Sequence, residues 1–401
     1  MSPKDAPESD DVMQQSGTDE ATGAPFDAAE PVNLITEDNP CGFQWPGGPD
    51  TIKVNLALQG GGAHGAFTWG VLDRLLSDQR IEIDGISGTS AGAMNGAVLA
   101  AGLTRSGRDG ARRALRDFWK SVSRDAAMSP IQRTGLDLMF ANWSMDANPA
   151  LAAFDVMTRM LSPYQFNPLN WNPLRQLLSE TVDFAAVKEC NAVRLFVSAT
   201  NVHTGRAHIF SGRDVTVDSV MASACLPSIF QAVEIDGVPY WDGGYMGNPV
   251  LSPFFKYCSA RDIIVVQVNP ILREQRPTTA REIQDRINEI SFNAPLIREL
   301  RHVEFINNCI QRGELSELGY RETYLHRVGG GEELRSFTAS TKLNAEWAFL
   351  KLLRDIGRRS ADAFIADHFE ALGQRSTLNA RDIGKVEHEG VAPAPAAPAE
   401  V

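Results

Sequence analysis

The chain has 401 residues, 43% hydrophobic and 22% charged, with 38 basic against 50 acidic side chains for a net charge of −12. That length buries a large core without disulfide or metal staples, and the composition excludes collagenous, coiled-coil and wholly disordered chains. The acidity argues against a nucleic-acid partner and against passive adhesion to an anionic membrane, both of which need a basic face.

The longest apolar stretch, Ala91 to Leu103, is too short to span a bilayer and is interrupted by Asn95 and several glycines. Residues Met1 to Asp10 have neither the basic start nor the apolar run of a secretory signal. Cytoplasmic residence with transient contact to a membrane surface is expected, export by a signal-less route being the alternative. The five cysteines (Cys41, Cys190, Cys225, Cys258 and Cys309) are odd in number, share no metal-ligand spacing and read as free thiols.

In chain order, residues 1–50 form an acidic block rich in Ser, Pro and Gly with one lysine, which predicts a disordered tail. A catalytic domain is expected over 51–335. It opens with an apolar strand, Val54 to Leu58, that runs into Gly60-Gly61-Gly62-Ala63-His64-Gly65. A helix follows, with Phe67, Val71, Leu72, Leu75 and Leu76 at helical spacing. The strand Ile81 to Ile86 then leads into Ser87-Gly88-Thr89-Ser90-Ala91-Gly92 and a small-residue helix from Ala93 to Ala101. Two glycine-rich strand-to-helix turns in succession predict a parallel α/β sheet with its chemistry at the strands' carboxyl ends. Further strands are predicted at Arg194 to Ala199, Val233 to Tyr240 and Ile263 to Val268.

Between these, residues 126–180 differ in character. They hold Met128, Met139, Met145, Met157 and Met160, with Trp143, Tyr164, Phe166 and Trp171 among prolines and asparagines. Such an insertion suits an adaptable acyl pocket or lid, or else a plain subdomain core. A C-terminal helical region is expected over 336–387, with Leu343, Trp347, Leu350, Leu353, Ala361 and Phe364 on one stripe and Gly357 as a place to bend or break. That stripe packs on its own domain or, given Trp347 and the basic cluster Arg354, Arg358 and Arg359, touches a membrane. The Ala/Pro tract at 388–401 reads as a disordered tail.

Three motifs carry chemistry. Gly88-Thr89-Ser90-Ala91-Gly92 fits G-x-S-x-G, the sharp turn that lifts a serine oxygen clear of the backbone between a strand and a helix. The helix start beneath Ser90 places free N–H groups and positive dipole where an oxyanion would form. Gly60 to Gly65 exposes backbone N–H groups unshielded by any Cβ. No lysine follows to complete a phosphate loop, and the glycine spacing does not fit a dinucleotide fingerprint, so an oxyanion hole beside Ser90 is the better use. The third motif, Trp241-Asp242-Gly243-Gly244, ends a strand on a carboxylate with room for close approach, though Asp-Gly alone is a common turn.

Together these motifs resemble the patatin-like phospholipases. Gly60 to Gly65 looks like that family's oxyanion loop and Gly88 to Gly92 its nucleophile elbow. Ala222-Ser223-Ala224-Cys225-Leu226-Pro227 resembles its A-S-x-x-x-P segment, and Asp242-Gly243-Gly244 its D-G-G/A. The four motifs occur in order over roughly Lys53 to Pro270, and the tails and C-terminal helices lie outside them. One departure is His64, where the family's loop usually carries Arg or Lys, which puts a fixed positive charge beside the oxyanion in doubt.

The resemblance implies a three-layer α/β/α fold with a mainly parallel central sheet, bearing the methionine-rich insertion and extra C-terminal helices. It implies a serine lipid acyl hydrolase of the phospholipase A or lysophospholipase type, working with a Ser90–Asp242 dyad; no acidic cluster has calcium-loop spacing, so no metal or cofactor is expected. Gly60, Gly61, Gly62 and Ala91 would form the oxyanion hole, with His64 orienting. Alternatives are a Ser-Asp-His esterase using His302, His326 or His368, a depolymerase of a storage polyester, and a catalytically silent lipid-binding protein.

Overall fold

The computed structural model describes residues 43–189, 192–315 and 321–379. The tail readings for 1–42 and 388–401, with Cys41 and Cys190, lie outside the described residues. Cys225, Cys258 and Cys309 are free thiols.

The chain begins with β1 (Ile52–Leu58), α1 (Gly65–Ser77), β2 (Ile81–Gly88) and α2 (Ala91–Ala126), the last kinked at Ser106 and Gly107. The insertion folds as α3 (Gly135–Met139), α4 (Pro149–Met160), α5 (Pro163–Phe166) and α6 (Pro173–Thr181), followed by α7 (Phe184–Glu189). Its prolines and asparagines are helix starts. Asn148 Oδ1 accepts from the N–H of Ala150 and Leu151, Asn172 Oδ1 accepts from Leu174, and Pro149 and Pro173 occupy the first helical turn.

Then come β3 (Arg194–Asn201), β4 (Ala207–Ser211), α8 (Val217–Ser223), β5 (Val233–Ile235), β6 (Val238–Asp242), α9 (Ser252–Tyr257) and β7 (Asp262–Gln267). The chain ends with α10 (Ala280–Gln311), β8 (Tyr324–Gly329), α11 (Gly331–Arg335) and α12 (Trp347–His368).

The sheet runs β5-β6-β3-β2-β1-β7-β8, with β4 also on β3. The neighbours β3, β2, β1, β7 and β8 are mutually parallel, and β4, β5 and β6 pair antiparallel at one side. Strand residues alternate between two cores. Leu56, Leu58, Ile264 and Val266 face α1, α2 and α12, whereas Ala57, Ile263 and Val265 face α9 and α10. This period of two is what a sheet buried between helical layers requires, and it makes the fold a three-layer α/β/α sandwich.

Three expectations change, and of the two readings of the C-terminal stripe the packed one holds. Val233 to Tyr240 is a hairpin, β5 and β6, because Asp236 and Gly237 both take positive φ, the conformation of a tight two-residue turn. The predicted tail boundary at residue 50 moves back, since Trp45 Nε1 donates to the Ala192 carbonyl at 2.7 Å and the Gly47 N–H to Glu82 at 2.8 Å. Helix α12 runs through Gly357 unbroken. Its stripe lies on α1, with Trp347 stacked on Trp69 at 5.8 Å and Phe349, Leu350 and Leu353 fully buried, so it is closed to a membrane. The basic cluster is also engaged: Arg354 pairs with Asp355, Arg358 with Asp73 and Arg359 with Glu333.

Candidate active site

At the carboxyl end of β2 the chain turns sharply. Ser90 caps α2 with φ 54° and ψ −122°, a conformation that costs a non-glycine residue on the order of 1–3 kcal/mol and persists only where its surroundings enforce it. They do so here through three hydrogen bonds. The Ser90 N–H donates to Ser223 Oγ at 2.8 Å, Thr89 Oγ1 donates to the Gly247 carbonyl at 2.7 Å, and Ser87 Oγ donates to that of Val250 at 2.5 Å. Ser223 thus gives the A-S-x-x-x-P segment a role, holding the Ser90 backbone. Gly92 is required because a methyl group there would collide with the Leu58 carbonyl of β1.

Asp242 closes β6, paired to Ala199 of β3, and its side chain is 1% exposed. Its backbone is fixed on both sides. The Asp242 N–H donates to the Cys225 carbonyl at 2.7 Å, and Thr200 Oγ1 donates to the Asp242 carbonyl at 2.8 Å. The carboxylate accepts from the Gly244 N–H at 2.7 Å, and the Ser90 side chain lies beside it. Burial pushes its pKa up to about 7, against the Gly244 N–H and the neighbouring Ser90 side chain, which favour the charged form.

The glycine loop lies against this pair. A methyl group on Gly60 would stand 2.7 Å from Ser90 Cβ. Of the four residues expected in the oxyanion hole, Gly60 does not supply a donor: its N–H is committed to Asn248 Oδ1 at 2.8 Å. The N–H groups of Gly61, Gly62 and Ala91 meet no protein acceptor among the described residues. Asn95 joins the loop to the elbow. Its Nδ2 donates to the carbonyls of Gly65 at 3.0 Å and Ala91 at 2.9 Å, and its Oδ1 accepts from Trp119 Nε1.

His64 is buried and turned into the protein. Thr341 Oγ1 donates to the Thr338 carbonyl at 2.7 Å, so it receives the proton of His64 Nε2, also at 2.7 Å. That leaves Nδ1 unprotonated and, among the described residues, without a partner. Burial, then Lys342 and Arg273, lower the His64 pKa to about 3. The ring is therefore neutral at any physiological pH and unsuited to act as a base. Its role is structural, in the wall formed by Phe337 and Phe349.

The alternative histidines do not complete a triad. His326 is fully buried in β8, with Nε2 on Asp262 and Nδ1 on Thr377, each at 2.9 Å, toward the amino-terminal side of the sheet. His302 is exposed on α10, and His368 ends α12 beside Phe364. Among the described residues the Asp242 carboxylate meets Ser90 and Gly244 and no histidine.

Sequence reasoning missed the polar residues that hold the loop: Asn248, Asn269, Thr341 and Lys342. Asn269 Nδ2 donates to the Gly60 carbonyl at 2.6 Å, and Lys342 Nζ donates to Asn269 Oδ1 at 2.8 Å. Each is a single polar residue far from the loop in sequence, and none sits in a local pattern that announces it.

The insertion reaches the segment before β5 through α5 and the residue after it. Tyr164 Oη accepts from the Ala232 N–H at 3.3 Å, and Gln231 Nε2 donates to the Asn167 carbonyl at 2.8 Å. On the other flank, Phe292 of α10 packs on Tyr245 with ring centroids 5.1 Å apart. No helix among the described residues is long and apolar enough to cross a membrane.

Residues 56–255 match the family described as Patatin-like phospholipase. Among solved structures, the crystal structure of VipD from Legionella pneumophila is similar at 15% identity, covering 79% of this chain and 67% of that chain, with a TM-score of 0.33. The matched span holds the elbow, the glycine loop and Asp242 on one edge of a mainly parallel sheet between helical layers. The catalytic core of this chain belongs to the patatin-like phospholipases, a family of lipid acyl hydrolases.

Proposed function

We propose that the protein hydrolyses carboxylic esters of phospholipids or lysophospholipids through an acyl-enzyme on Ser90, with Asp242 as the general base. The observation that carries this reading is the Ser90 side chain set beside a carboxylate that is 1% exposed and whose pKa burial raises to about 7. An exposed aspartate near 4 is a poor base for a hydroxyl, and each unit of increase strengthens it while leaving much of it ionised at neutral pH.

In the first half-reaction Asp242 takes the Ser90 proton as Oγ bonds to the ester carbonyl carbon. The carbonyl oxygen becomes an oxyanion facing the N–H groups of Gly61, Gly62 and Ala91, at the start of α2 where the helix dipole adds positive potential. Collapse breaks the ester bond, and the departing alcohol takes the proton from Asp242. In the second half-reaction Asp242 deprotonates a water that attacks the acyl carbon. The fatty acid leaves, and Ser90 recovers its proton.

The partner in this reading is a lipid surface, met through apolar side chains around the site. Leu169 and Trp171 are 90% and 72% exposed beside the Asn167 contact. Ile283, Ile287 and Ile290 form an exposed row on α10, the helix that also carries Phe292. Exposed apolar groups on this scale mark an interaction site.

The test is fatty-acid release from mixed phospholipid vesicles by wild type and Ser90→Ala, with chelator present. Release by wild type alone supports the reading, and the products identify the bond cut. If neither releases fatty acid, short-chain esters and polyester granules come next, and inactivity on those would favour the lipid-binding alternative.

A further inference from the structure

A segment outside the family match reaches back to the oxyanion loop. The single-turn stretch Ala339–Leu343 touches that loop at three points. Thr341 Oγ1 meets His64 Nε2 at 2.7 Å. The Lys342 carbonyl lies against Gly62, where a methyl group would stand 2.6 Å from its oxygen and where φ is +58°. Lys342 Nζ donates to Asn269 Oδ1 at 2.8 Å, and Asn269 Nδ2 donates on to the Gly60 carbonyl at 2.6 Å.

The third contact has a geometric consequence. The Gly60 carbonyl and the Gly61 N–H belong to one planar trans peptide, so they point in opposite directions. A donor that captures the carbonyl on one side aims the N–H to the other. Without that restraint a glycine-glycine peptide rotates at little steric cost, because neither residue has a Cβ to oppose it. A rotated peptide would offer the oxyanion a carbonyl oxygen in place of a donor. We propose that Lys342, acting through Asn269, is a positioning residue that sets the orientation of the Gly60–Gly61 peptide and so forms the oxyanion hole.

Several features support that assignment over a general stabilising contact. Asn269 is 2% exposed, and its own backbone N–H donates to Gln59 Oε1 at 3.0 Å, which fixes where its amide sits. Its Oδ1 accepts from the lysine while its Nδ2 donates to the loop, so the amide cannot flip without losing both bonds. A donor at the head of such a chain polarises the amide, and through it the Gly61 N–H, in the direction that strengthens donation to an oxyanion.

The proposal rests on Ser90 being the nucleophile, and its test does not depend on which lipid is the substrate. The rate at which a fluorophosphonate labels Ser90 requires the nucleophile and the oxyanion hole but no lipid chain. Lys342→Met, which keeps most of the side-chain volume, and Asn269→Asp, which keeps the lysine's acceptor but removes the donor to Gly60, are each labelled beside wild type. The expected result is a fall of about 10- to 100-fold in labelling rate for both, below the full loss of an oxyanion donor because Gly62 and Ala91 remain. On a soluble short-chain ester the same variants lower kcat with KM within about twofold, a split that general destabilisation does not produce.

Labelling of a folded variant within twofold of wild type overturns the proposal, and Asn269→Asp alone decides it should Lys342→Met fail to fold. Absence of labelling in wild type overturns the nucleophile reading, and the positioning role falls with it. A labelled wild type with unimpaired variants removes the positioning role alone.

Discussion

At the scale of single residues, Asp242 carries a conflict between stability and chemistry. Its pKa in the fold is about 7 against an ordinary value of 3.8, so folding favours the protonated form. A group whose pKa is raised on folding stabilises the fold most below its unfolded value, and that contribution is lost as pH rises through the folded one. Here the window runs from about pH 4 to about pH 7. Under the proposed mechanism turnover needs the opposite state, the carboxylate, and should fall along a single-proton limb as pH drops below about 7. Asp242→Asn removes the conflict. It should abolish turnover yet raise stability at pH 8 by on the order of 1–3 kcal/mol, with little gain at pH 4. Thermal melts of both proteins at the two pH values check this. A difference that does not change with pH would mean that the buried carboxylate is not the titrating group.

At the scale of elements, α1 and α12 approach so closely that their backbones touch. A methyl group on Gly357 would collide with the Phe67 carbonyl of α1, and one on Gly70 with the Arg354 carbonyl of α12. Two effects oppose each other in Gly357→Ala. Helix propensity gains about 1 kcal/mol, whereas overpacking against backbone costs about 1–3 kcal/mol. We expect the clash to win, with a net loss of about 1–2 kcal/mol in chemical denaturation. A gain would show that the helices separate without penalty. The same glycine marks the limit of reading from sequence. On an apolar stripe it signals a weak point in one helix, and only the partner helix reveals it as a contact. Ser90 and Asp242 were legible because glycines on both sides of the serine, and two directly after the aspartate, spell out sharp turns locally. Strand β8 was not, since His326 and Arg327 interrupt its apolar run, and His326 is accommodated only by Asp262 and Thr377 elsewhere in the chain. The hairpin β5–β6 was hidden by a two-residue turn inside an apparently continuous strand. Lys342 and Asn269 were invisible for the same reason as β8: their partners lie in distant sequence.

At the scale of the whole molecule, charge and apolar surface make opposite predictions about lipid. A net charge of −12 repels an anionic bilayer, so on the proposed reading long-range attraction does not bring the protein to lipid. The charged groups within the insertion are largely engaged in the protein: Arg133 with Glu346, Asp146 and Asp155 with Arg281, and Arg175 with Asp218. What faces outward there is Met139, Phe140, Met160, Leu169 and Trp171, each more than 70% exposed. Docking by such a surface depends on area removed from water, at about 25 cal/mol per Å², and not on counter-ions. Activity should therefore be higher on zwitterionic than on anionic vesicles. Added salt should raise the anionic rate by screening repulsion and leave the zwitterionic rate nearly unchanged. Replacing Leu169 and Trp171 together by serine should cost about tenfold or more on vesicles, the equivalent of about 1.4 kcal/mol of lost apolar contact, and leave hydrolysis of a soluble short-chain ester intact. Equal losses on both substrates would place these side chains in the acyl site itself. An unchanged vesicle rate would turn the apolar face toward a different partner and leave the lipid to enter by another route.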